Sequence, residues 1–207
     1  MKTKIILFLL LIAISIPYYI PAQIPEVEHL PVQNQSQAIK ESVPVWLSDN
    51  DIMIFYVNQT QDTIFSTKSN DEGVTWQQPS VVITIDSLEE GQVQIYPTAI
   101  RTETGRILLA WSVLGEGINL IYSDDFGNTW SDVQIILGSG TVPALRKNLS
   151  NPKLSKLNNN RLLLNFNSGA NNPQSILYYR ISNDNGLTWG DTVYSIKRNG
   201  LYYFEDQ

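Results

Sequence analysis

The residues that could do chemistry in this chain are carboxylates, and three of them recur in one setting. "SNDEGVTW", "SDDFGNTW" and "SNDNGLTW" begin at Ser69, Ser123 and Ser182 and share five fixed places. The first holds Ser69, Asp71, Gly73, Thr75 and Trp76, and the second Ser123, Asp125, Gly127, Thr129 and Trp130. The third holds Ser182, Asp184, Gly186, Thr188 and Trp189. An aspartate among hydroxyls can act as an acid, ligate a cation or build a turn. Three equivalent catalytic acids in three separate units make no mechanistic sense. A calcium loop of EF-hand type needs alternating oxygen ligands and a final Glu, whereas Ile181 and Trp189 fall where ligands should be. The unit therefore reads as a folding device. Its Gly suits a positive φ, and its Asp can accept hydrogen bonds from amides of its own loop. The Trp offers a flat apolar surface for packing against strands of its own unit.

Outside these boxes, Asp62 and Glu116 are the two carboxylates to test as an acid/base, since each lies in a loop between apolar strands. The single histidine, His29, leaves no material for a Ser-His-Asp triad or a histidine metal cluster. No cofactor and no metal site are expected. Arg106 and Arg161 occupy equivalent places at the start of an apolar strand, which points to a repeated structural role. Arg101, Arg146, Arg180 and Arg198 have no counterpart between units and read as solvated surface residues.

The elements that must position these residues repeat with the boxes. Each unit reads as Pro, a short apolar stretch, a turn, a strongly apolar strand, a loop and a second strand entering the box. The prolines are Pro44, Pro97 and Pro152, and the box aspartates lie 54 and 59 residues apart. "DIMIFYV", "RILLAW" and "RLLLNF" are short, β-rich runs bounded by Gly, Asn and Asp. "SVVITI" and "DVQIILG" after the first two boxes read as further strands. A self-similar all-β unit of this length predicts a β-propeller built of four-stranded antiparallel blades. Such a blade buries its faces only against neighbours.

Boundaries follow from composition. Lys2 and Lys4 precede an apolar run from Ile5 to Ile16, the pattern of a secretory signal peptide over residues 1–22 with cleavage after Ala22. Residues 23–40 form a lead-in, and 41–207 a partial propeller with units at about 41–80, 93–133 and 150–193. The C-terminal "DTVYSIKRNGLYYFEDQ" reads as the start of a fourth unit, so the chain reads as a truncated propeller. Without Lys2 and Lys4 the chain carries 12 basic against 20 acidic residues, a net charge of −8, which argues against a nucleic-acid partner. There is no cysteine for a disulfide framework or a lipid anchor, and no later segment is apolar enough to span a membrane. The expected location is secreted, periplasmic or at the cell surface.

The boxes resemble the Asp box, Ser/Thr-x-Asp-x-Gly-x-Thr-Trp/Phe, also called the bacterial neuraminidase repeat. Over roughly residues 40–195 the chain is similar to the sialidase-type superfamily of six-bladed β-propellers. The resemblance implies about three blades here, with the boxes at the blade periphery. It also implies, for a sialidase, a Tyr nucleophile with a Glu partner, an Asp acid/base and three arginines on the substrate carboxylate. The first arginine sits before an Ile-Pro-type strand start, and here "QIYP" puts Ile95 in its place. The expected function is a secreted sialidase-like propeller fragment that binds glycans, sialylated ones included, or a protein, without catalysis of its own. Two alternatives stand beside it: the N-terminal part of an exo-sialidase or related glycoside hydrolase, and a structural or assembly propeller. Open blade edges imply self-association.

Overall fold

The computed structural model describes residues 39, 41–85, 95–113, 117–138, 149–168, 176–191, 193–197 and 200–203. The signal peptide, most of the lead-in, Glu116, Arg146 and Arg198 lie outside the described residues. Within them every regular element is a strand. The first sheet runs β1 (Ser42–Trp46), β2 (Ile52–Val57), β3 (Thr63–Ser69) and β4 (Ser80–Thr84). The second runs β5 (Tyr96–Arg101), β6 (Ile107–Val113), β7 (Gly117–Ser123) and β8 (Gln134–Gly138). The third contains β9 (Leu149–Lys156), β10 (Leu162–Ser168), β11 (Ile176–Ser182), β12 (Tyr194–Lys197) and β13 (Gly200–Tyr203). All pairings are antiparallel and sequential, the meander of a propeller blade. The described residues are all-β, laid out as consecutive blades of a partial propeller.

Residues 200–203, which the sequence predicts to approach a fourth unit, instead pair with β12 as the fifth strand of the third sheet. The register joins Lys197 to Gly200 and leaves only Arg198 and Asn199 between them. A two-residue connection is a common hairpin length, and it competes with the predicted continuation.

The sheets stand side by side through their first strands, β1 beside β5 and β5 beside β9. The Leu154 amide donates to the Thr98 hydroxyl across the second of these seams, at 3.1 Å. Pro44, Pro97 and Pro152 all sit in these first strands, each at a sheet edge where a missing amide breaks no ladder.

The core lies between sheets and not within them. Met53, Phe55, Val57 and Ile64 of the first sheet meet Ile107, Leu109, Trp111 and Val113 of the second. On the other side of β6, Leu108 and Ala110 meet Leu162, Leu164 and Phe166 of the third. Every residue of β6 is buried, which explains why its sequence shows no alternation and is apolar apart from Ser112.

Candidate functional site

The strand registers sort the candidate residues onto two ends. Trp46 pairs with Ile52 and Ile52 with Ser69, so the last residue of a first strand lies at the same end as its box. Asp62, between β2 and β3, lies at the opposite end, and so does Ile95, just ahead of β5.

At the box end the three loops are built alike. The Ser69 hydroxyl donates to Asp71 Oδ1 at 2.7 Å and accepts from the Gly73 amide at 2.8 Å. Asp71 accepts from the Thr75 amide at 2.8 Å and the Thr75 hydroxyl at 2.5 Å. The second and third boxes repeat all four bonds, among Ser123, Asp125, Gly127 and Thr129 and among Ser182, Asp184, Gly186 and Thr188. The second box residues are also engaged. Arg106 makes a bidentate pair with Asp124 at 2.7 Å, and the Arg161 Nε–H donates to Asn183 at 3.1 Å. Both arginines thus tie the start of the second strand to their own blade's box.

Backbone geometry adds what residue types do not reveal. Gly73, Gly127 and Gly186 have φ of +89°, +77° and +82°. The residues before them, Glu72, Phe126 and Asn185, are also left-handed at +59°, +58° and +57°. Two successive positive φ values with a bond from the following amide to the Asp carbonyl make a type I′ turn. Only Asn185 is a residue that favours this conformation. The strain at Phe126 is partly offset by the Arg101 guanidinium, 5.8 Å from its ring centroid.

The boxes also reach across to the preceding sheet. A Cβ on Gly127 would lie 2.5 Å from Met53 Cε, and one on Gly186 2.5 Å from Leu108 Cδ1. The Trp130 ring packs edge-on against Phe55 at 5.7 Å, in the neighbouring sheet and not only its own. Arg180 is no solvated surface residue. It donates to the Ile136 carbonyl of the second sheet and to the Gly190 carbonyl, the latter at 2.8 Å. Ile136 sits where the register of β8 against β7 shifts, with no β7 residue opposite it, and Gly190 follows the third box.

All three box carboxyls are held below the usual carboxylate range. Hydrogen bonds from the Thr75 and Thr129 side chains are the main cause at Asp71 and Asp125. At Asp184 burial pushes upward, but the bonds from Thr188 and Ser182 outweigh it. A group that binds its proton more weakly when folded contributes stability that is fully present above its unfolded value and is lost progressively as pH falls from there through the lower folded value. Thermal unfolding should therefore be flat near neutrality and weaken below about pH 4, where free Asp titrates. Asp184→Asn should flatten this acid slope; an unfolding temperature that stays constant into strong acid would contradict the account.

At the opposite end, the Asp62 carboxylate accepts from Asn58 Nδ2 at 2.7 Å and from the Thr63 hydroxyl at 2.8 Å. The Asn58 bond chiefly holds its carboxyl below the ordinary range, so at neutral pH it is an acceptor that shapes its loop, without a proton to donate. Ile95 is fully buried, in the core between the first two sheets. Among the described residues no group of three or more Asp, Glu or His is placed to hold a metal ion, and no helix is long and apolar enough to cross a membrane.

Solved structures share this fold at low identity. A protein of unknown function from Dyadobacter fermentans DSM 18053 aligns with a TM-score of 0.59 and 16% identity, over 76% of this chain and 54% of that one. An α-L-arabinofuranosidase from Clostridium thermocellum ATCC 27405 gives 0.53 and 12%, over 78% and 61%. A NanB sialidase variant from Streptococcus pneumoniae gives 0.50 and 18%, over 74% and 23%. The chain spans less than two thirds of each of these structures. No curated protein sequence matches it. The BNR repeat-like domain profile matches residues 24–199, the stretch that holds all three boxes, and the chain belongs to that family.

Proposed function

We propose that this chain is a secreted binding module of the sialidase-like fold, which holds glycans and performs no glycoside hydrolysis by itself. The observation that carries this reading is Ile95, buried at 0% exposure in the inter-sheet core where resemblance to sialidases calls for a substrate-binding arginine. A buried aliphatic side chain cannot reach a substrate carboxylate. The ionised, loop-bound Asp62 supports the same reading, since a glycosidic acid must carry a proton. Export rests on the basic and apolar residues Lys2 to Ile16.

Self-association is part of the proposal. The stacked pairs Tyr56–Phe65 and Tyr179–Tyr194 lie on the faces of the first and third sheets turned away from the second. Apolar faces of this kind favour association. The purified chain should elute as oligomers and release nothing from a fluorogenic sialoside. A monodisperse monomer that turns the sialoside over would overturn the proposal.

A further inference from the structure

The first strands of the three sheets end together at the box end, and their last residues bring Trp46, Arg101 and Lys156 around one cleft of about 240 Å³. Pro44, Val45, Ala99, Ile100 and Thr102 complete its wall, so the lining holds two cations and no carboxylate. That is notable in a chain with 20 acidic and 14 basic residues. Neither cation is spent on an internal pair. Among the described residues the ion pair formed is Arg106–Asp124, while Arg101 and Lys156 have no hydrogen-bonded or ionic partner.

Arg101 is held ready for a ligand. Its Nε is buried without an acceptor. Its guanidinium lies over the Phe126 ring, and its Nη2 is packed 3.3 Å from where a Gly105 Cβ would stand. A buried donor left unpaired costs stability, and among the described residues no acceptor draws the guanidinium away from the cleft that it lines. A guanidinium matches a carboxylate bidentately. Lys156, exposed at the matching end of β9, adds a second positive charge. Trp46 is 58% exposed and presents a flat apolar ring beside these charges. An aromatic face next to a carboxylate receptor suits a sugar ring that carries its own acid group. The cleft is below the roughly 300–1,000 Å³ of drug-sized sites, room for about one such ring.

We infer that this cleft binds the carboxylate of an acidic sugar, with Arg101 and Lys156 on the carboxylate and Trp46 against the ring; the inference rests on the glycan-binding function proposed above. It places the site at the end of the propeller opposite Asp62 and Ile95. The shared chemistry is a ring carboxylate, which a uronate or a sialic acid could supply.

Calorimetric titration of the full chain would use tetragalacturonate, sialyllactose, methyl-esterified tetragalacturonate, lactose and hexaglutamate. Tetragalacturonate or sialyllactose, or both, should bind, which separates the two sources, and the esterified and neutral sugars should not. Arg101→Gln should weaken binding by about tenfold or more, the scale of one lost charge-assisted hydrogen bond. Lys156→Gln, at an exposed position, should weaken it by a smaller factor with an unchanged unfolding temperature. Binding of acidic sugar that neither variant alters would overturn this site and leave glycan binding standing. Binding of hexaglutamate alone, or of no sugar at all, would overturn the site and the glycan-binding reading together.

Discussion

Gly186→Ala is expected to destabilise the chain by roughly 3 kcal/mol, more than the same change at either other box glycine. Two costs add. At φ +82° any Cβ meets its own backbone, a strain of about 1–2 kcal/mol. The new methyl would also lie 2.5 Å from Leu108 Cδ1, 3.1 Å from its Cδ2 and 3.3 Å from Leu162 Cδ1. Leu108 is fully buried in β6 and cannot swing aside, so the third sheet must shift against the second, at about 1–3 kcal/mol. Gly127→Ala should cost less, because its Cβ meets the flexible end of Met53. Gly73→Ala should cost only the backbone strain, since its nearest neighbours lie at 3.5 and 3.9 Å. Denaturant unfolding of the three variants tests the order. Equal losses at all three positions would mean that the boxes do not set the spacing between sheets.

How far the fold was legible in the sequence depends on how local its causes are. Repeated boxes and short apolar runs between turn residues report the strand, its turn and its place in a blade, because each is decided within a few neighbours. Pro44, Pro97 and Pro152 mark the same edge strand three times for one local reason, the missing amide. Contacts between sheets are different. Nothing around Lys68 announces that its ammonium will donate to Asn128, 60 residues on, at 2.8 Å. Arg180 gave no sign of its acceptors, since the Ile136 carbonyl belongs to another sheet and a backbone acceptor leaves no mark in residue type. The left-handed Glu72 and Phe126 were equally hidden, as neither side chain advertises that conformation. The fifth strand of the third sheet follows a two-residue connection, Arg198-Asn199, whose residue types carry no strong hairpin signal. For the cleft, the residues were visible but not their meeting. Trp46, Arg101 and Lys156 fall at matching places in three first strands, and only the side-by-side arrangement of those strands gathers them.

The box tryptophans should be unequal, although the sequence makes them equivalent. Trp130→Ala is expected to cost about 3 kcal/mol, in the range for removing an aromatic side chain from a core. Its ring meets Phe55 at 72° and 5.7 Å, an edge-to-face pair that adds about 0.5–1.5 kcal/mol beyond burial. It also packs against the core cluster that joins the first two sheets. Removing it opens a gap that the strands on both sides cannot close, because each is pinned by its own ladder. Trp76 occupies the same place in the first sheet, where among the described residues it packs against neither core. It donates to the Gly73 carbonyl at 2.9 Å, a bond within its own box. Trp76→Ala should therefore cost about 1 kcal/mol, the net worth of one hydrogen bond. A double-mutant cycle of Trp130→Ala with Phe55→Ala should show a coupling of about 1 kcal/mol, whereas Trp76→Ala with Phe55→Ala should be additive. If Trp130 and Trp76 cost the same and neither couples to Phe55, the box tryptophan is a local brace, and adjacent sheets are held together without it.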